Sequence, residues 1–103
     1  MTVKEIYTAD LADKLSNGEE VRIIDVREDD EVEQGMIPNA QHIKLGDVPE
    51  RLDELDAETH YYIICRSGAR SLRATQYLEA KGYQATNVDG GMLAWKGETI
   101  IPE

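Results

Sequence analysis

Tyr61-Tyr62-Ile63-Ile64-Cys65-Arg66-Ser67-Gly68-Ala69-Arg70-Ser71 is the stretch that decides the fold. Tyr61 to Cys65 reads as a buried strand, and Ser71 to Lys81 as a helix. Leu72, Ala74, Thr75 and Leu78 fall on the inner side of that helix, and Gly82 stops it. A short basic loop joins the two elements. Its cysteine, the only one in the chain, stands where backbone N–H groups converge and a helix begins.

The pattern repeats outward from this unit. Val3 to Tyr7 reads as a short first strand. Thr8 is placed as N-cap of a helix running through Leu11 and Leu15 to a stop at Asn17-Gly18. Val21 to Val26 is β-branched and nearly continuous in apolar character, as in a strand covered on both faces. Asp29 to Gln34 reads as a short acidic helix ending at Gly35, followed by a turn at Ile37-Pro38-Asn39 and a strand over Ala40 to Ile43. Pro49 suits the first turn of a helix reaching Leu55. Ala85 to Val88 reads as the last strand, and Met92 to Lys96 as a final helical turn after Gly90-Gly91. Alternating strands and helices predict an α/β fold with a mostly parallel central sheet and helices on both faces. Ligands in such folds sit at the strand carboxyl ends, where both Cys65 and Asp25-Val26-Arg27 lie.

With 103 residues, the reading is a single domain over 1–103 with one modest core. There is no Phe and one Trp, so aliphatic side chains must build most of that core. A formal net charge of −10 argues against nucleic acid or an anionic membrane as partner. The acidic runs Glu28 to Glu33 and Glu50 to Glu58 read as solvated surface. One cysteine excludes an internal disulfide, a resolving thiol and a cysteine metal cage, and no metal or cofactor is expected. No leader or membrane-length run is visible, so a reducing cytoplasm is the expected location.

A lone cysteine at a strand end is most commonly a small buried hydrophobe. Such a residue has no need of Arg66, Ser67, Gly68, Ala69 and Arg70 crowded behind it. Gly68 permits positive φ and Ala69 leaves space. The following amides can form an anion-holding nest, and Arg66 and Arg70 can each donate to an oxyanion. Ser71 suits either a hydroxyl bond to the sulfur or a helix-start role. The loop predicts an ionised thiol acting on an anionic substrate. His42 and His60 stand in no Cys–His pattern and are left outside the chemistry, with His60 at a strand edge.

Ile23-Ile24-Asp25-Val26-Arg27, Glu31 through Gly35-Met36-Ile37-Pro38-Asn39-Ala40, the Cys65 loop and Gly90-Gly91-Met92-Leu93-Ala94-Trp95 together resemble a single-domain rhodanese. The likeness runs from about Ile6 to the C-terminus. It implies a rhodanese α/β fold and sulfane-sulfur transfer through a persulfide on Cys65. The donor would be bound by Arg66, Ser67, Gly68, Ala69, Arg70 and Ser71. It implies thiosulfate or a related small anion as donor and a thiol or cyanide as acceptor. A persulfide carrier serving a protein partner uses the same chemistry and stays open. Phosphatases and arsenate reductases of related fold place one residue more between Cys and Arg than the four found here, which disfavours them. Two positions depart from the family pattern. Met36 stands where His is frequent and Asn39 where Gly is common, both at the turn rather than in the loop.

Overall fold

The computed structural model describes residues 3–102. Five strands, β1 (Glu5–Tyr7), β2 (Arg22–Asp25), β3 (Gln41–His42), β4 (His60–Ile64) and β5 (Gln84–Asp89), form one sheet in the order β1-β5-β4-β2-β3. Every pairing is parallel. Strands that all run one way need crossover connections. These are α1 (Thr8–Ser16), α2 (Asp29–Val32), a 3-10 segment (Leu45–Glu54) and α3 (Ala69–Ala80), with α4 (Gly91–Ala94) closing the chain.

Alternation along the two central strands divides the core into two layers. Ile24, Val26, Tyr61, Ile63 and Cys65 cluster with Val48, Ala74 and Leu78, from the 3-10 segment and α3. Ile23 and Ile64 cluster with Leu11 and Val88, against which Leu15, Met92 and Trp95 pack. Buried apolar residues on both faces explain why β2 and β4 read as continuous runs. Cys65 belongs to the α3 layer.

Several local expectations are corrected. Thr8 does not cap α1; it is the first helical residue, Tyr7 stands at the N-cap, and the Thr8 hydroxyl donates to the Ala94 carbonyl at 3.4 Å. A contact from the far end of the chain has taken the hydroxyl. α3 starts two residues early, at Ala69, because Gly68 with φ 114° turns the chain into the helix. This register buries Ser71 with Ala74, Thr75 and Leu78, leaving Leu72 half-buried. The segment around Pro49 starts at Leu45, is 3-10 and has a kink at Arg51. The short helix α2 ends at Val32, capped by a reciprocal bonding pattern between Glu28 and Glu31. His60 stands at the start of β4, as its strand-edge reading implies, and β4 is the central strand of the sheet.

The two departures at the turn are accommodated. Asn39 has φ 67°, a conformation Asn tolerates better than other non-glycine residues. Met36 is buried and pairs with Ile100 through two backbone hydrogen bonds of 2.8 Å.

Candidate active site

β4 delivers Cys65 to the carboxyl edge of the sheet, and the loop then bends back over the sulfur. The Gly68 N–H donates to Sγ at 3.1 Å, and the Ser71 hydroxyl lies 3.2 Å from it. Burial, the largest single influence, pushes the thiol pKa up; the Ser71 hydroxyl and the amides of Ser71, Gly68 and Ser67 outweigh it and pull the pKa below its ordinary value. The oriented N–H and O–H dipoles of the loop are thus the largest stabilisers of the thiolate, and the Arg70 guanidinium also attracts it. Cys65 is 1% exposed and Gly68 and Ser71 are buried, whereas Ser67 and Ala69 face solvent.

Gly90-Gly91 holds the loop from the other side. The amides of Met92 and Leu93 donate to the carbonyls of Cys65 and Arg66 at 2.8 and 3.0 Å. Gly91 has φ 55°, and a Cβ there would lie 2.5 Å from the Arg66 carbonyl oxygen and 2.6 Å from that of Cys65. Only glycine permits so close an approach. The sequence brought this motif into view through the rhodanese resemblance; the structure gives it a physical task.

The two loop arginines are not equivalent. Arg66 is exposed, and among the described residues its guanidinium makes no hydrogen bond or ion pair. Arg70 is held by Glu31 through paired bonds, Nη1 to Oε1 at 2.6 Å and Nη2 to Oε2 at 2.7 Å. The Arg70 bond lowers the Glu31 carboxyl from 4.5 to about 2 despite the opposing effect of burial. Glu31 also accepts the Glu28 N–H at 3.0 Å. Its backbone carbonyl receives Arg27, whose guanidinium is buried against Asp25 (2.8 Å) and also donates to the Gly35 carbonyl. A chain of contacts thus runs Asp25–Arg27–Glu31–Arg70 to the loop.

Glu31 is the residue that reading the acidic run as solvated surface missed. A signal was present, since Glu31 opens one of the stretches that carry the rhodanese resemblance. Arg27, Glu31, Gln34, Arg66, Met92 and Leu93 line a cavity of about 200 Å³ at this rim. A larger cavity, about 360 Å³, lies between α1 and Trp95 and contains none of the loop residues.

Neither histidine meets the thiol. His42 Nε2 lies 2.7 Å from the Arg27 carbonyl oxygen and His60 Nε2 lies 2.6 Å from the Thr86 hydroxyl. His60 starts the strand that Cys65 follows, about 16 Å away at about 3.3 Å per residue. Among the described residues, no group of three or more His, Cys, Asp and Glu is placed to hold a metal ion. Nor is any helix long and apolar enough to cross a membrane.

Fold and loop define a class: α/β proteins with a single stabilised thiol at the carboxyl end of the central parallel strand. Residues 8–98 match the rhodanese-like domain family, and the chain belongs to that family. It is 52% identical over 99 residues to "Putative sulfurtransferase YtwF" of Bacillus subtilis (strain 168), covering 96% of each chain. It is 39% identical over 94 residues to a protein of Allochromatium vinosum named "Sulfurtransferase", covering 90% of this chain and 88% of the other. The crystal structure of a rhodanese-like domain protein from Staphylococcus aureus superposes with a TM-score of 0.92 at 42% identity, over 98% of this chain and 100% of the other.

Proposed function

We propose that this protein is a sulfurtransferase that carries sulfane sulfur as a persulfide on Cys65. The donor is thiosulfate or a related small anion, and the acceptor is a thiol or cyanide. The observation that carries the reading is the Cys65 sulfur receiving the Gly68 N–H beside the Ser71 hydroxyl. Both stabilise the thiolate, which is the nucleophilic form.

In the first half-reaction the thiolate attacks the outer sulfur of thiosulfate. A sulfur–sulfur bond forms to Cys65, the donor's sulfur–sulfur bond breaks, and its electron pair leaves with sulfite. No proton moves, so the step needs neither histidine. The amides that held the thiolate then hold the persulfide anion. In the second half-reaction cyanide attacks the outer sulfur and leaves as thiocyanate, returning the pair of electrons to the Cys65 thiolate. A thiol acceptor leaves as a persulfide.

The recessed position of Cys65 suits delivery of one terminal sulfur atom. Arg66, the uncommitted guanidinium at the rim, serves to draw in the anionic donor. Ser67, Gly68, Ala69, Arg70 and Ser71 shape the loop that receives it. A reducing compartment such as the cytoplasm keeps the sole thiol free. Membership of the rhodanese-like family, together with the short Cys–Arg spacing, disfavours the phosphatase reading.

Intact-mass analysis after incubation with thiosulfate tests the reading. The expected result is a gain of one sulfur atom, removed by cyanide and absent in Cys65→Ala. An adduct that persists in Cys65→Ala, or no adduct in the parent, would overturn it. Loading by a protein persulfide but not by thiosulfate would favour a carrier serving a protein partner.

A further inference from the structure

The sulfur-transfer reading leaves open what sort of donor the rim prefers, and the Glu31–Arg70 pair bears on this. We propose that Glu31 is a specificity-determining residue: by holding Arg70 in a bidentate pair beside the loop, it tunes the site for singly charged sulfur donors over dianionic thiosulfate. The proposal rests on the sulfur-transfer reading and adds the charge class of the donor.

Three observations support it. First, both oxygens of Glu31 face both terminal nitrogens of Arg70, at 2.6 and 2.7 Å, so the guanidinium's planar fork is already filled by a carboxylate. An incoming oxyanion must compete with that carboxylate or bind elsewhere.

Second, Glu31 is fixed where it stands. The Glu28 N–H donates to its side chain, and the buried Arg27 donates to its backbone carbonyl at 3.2 Å. Its side chain is 23% exposed, and Arg70's 32%. A flexible surface pair costs side-chain entropy to form; here much of that cost is already met by the fold. With a pKa of about 2, the carboxylate stays charged at any working pH.

Third, Glu31 and the free Arg66 line the same rim cavity. Of the two loop guanidinium groups, one is balanced and one is not. At this rim Arg66 alone therefore offers an arriving donor a guanidinium not shared with a carboxylate among the described residues. On a chain whose net charge is already −10, each further negative charge on the donor meets less compensation.

Thiosulfate and methanethiosulfonate make a matched pair of probes. Both present a terminal sulfur to the thiolate, which displaces sulfite from one and methanesulfinate from the other. They differ by one negative charge. Their kcat/KM values are compared with cyanide as acceptor, in the parent, Glu31→Gln and Glu31→Ala. Circular dichroism checks the fold of each. Gln can still accept the Glu28 N–H, and Ala provides a second variant of different shape.

The expected result is that neutralising Glu31 raises the thiosulfate-to-methanethiosulfonate ratio by about fivefold, mainly through a lower KM for thiosulfate. A merely structural role would lower both donors together and leave the ratio unmoved. That outcome, or a fall in the ratio, overturns the proposal while leaving sulfur transfer standing. A parent inactive with both donors overturns the sulfur-transfer reading and the proposal with it.

Discussion

The Ser71 hydroxyl stands 3.2 Å from the Cys65 sulfur, and both residues are fully enclosed by the protein. Burial alone would hold the thiol neutral, so this contact and the loop amides decide its charge. Ser71 is in turn fixed by the first turns of α3, where the Thr75 hydroxyl donates to its carbonyl at 2.8 Å.

Ser71→Ala removes the hydroxyl and leaves the amides. The parent thiol should titrate below an ordinary cysteine, and the variant above the parent, because the Ser71 hydroxyl is one of the groups that pull the thiol down. At neutral pH sulfur loading should slow by up to about tenfold and recover as pH rises through the new midpoint. Alkylation rate against pH reads both midpoints. Superimposable profiles would show that Ser71 does not stabilise the thiolate.

Arg66 and Arg70 invite unequal effects on substitution. Arg66→Ala removes an unpaired cation from the rim and should lower kcat/KM for thiosulfate by about tenfold, mostly through KM. Arg66→Lys should restore only part, because an ammonium cannot reproduce the planar fork. Arg70→Ala is a different experiment, since it strands the Glu31 carboxylate beside the loop. Steady-state kinetics on Arg66→Ala with thiosulfate at saturating cyanide is the check. A KM equal to the parent's would exclude Arg66 from donor binding.

The strand–loop–helix unit was legible because its signals are local. Ile63-Ile64 marks the strand, Gly68 the loop, and Cys65 falls between them. The sheet could be read in the same way, since the β-branched run Val21 to Val26 announces burial on both faces. What escaped was set by partners far along the chain. Thr8 has the chemistry of an N-cap, yet its hydroxyl is claimed by Ala94, 86 residues away. Glu31 sits in an acidic run that looks solvated, and only its pairing with Arg70, 39 residues on, makes it part of the rim. The two extra helical residues before Ser71 came from the positive φ of Gly68, a backbone choice that glycine permits but does not announce.

Gly91 offers the sharpest test of how the loop is held. Its φ of 55° already disfavours a side chain, and a Cβ would press within 2.6 Å of the Cys65 and Arg66 carbonyl oxygens. Those carbonyls accept the Met92 and Leu93 amides, so the backbone cannot withdraw without losing two hydrogen bonds. Gly91→Ala should therefore cost at least about 2 kcal/mol, which in a domain of this size lowers Tm by roughly 8 °C or more. The same displacement should move the amides away from the sulfur and raise the thiol midpoint. Gly82→Ala is a useful comparison. It also carries a positive φ, 92°, but nothing lies within 4 Å of its would-be Cβ. It should cost only the backbone penalty and leave the thiol midpoint alone. Thermal denaturation together with the alkylation profile separates the two. Equal losses in both variants, with an unmoved midpoint in Gly91→Ala, would show that the glycine serves its own turn and not the cysteine loop.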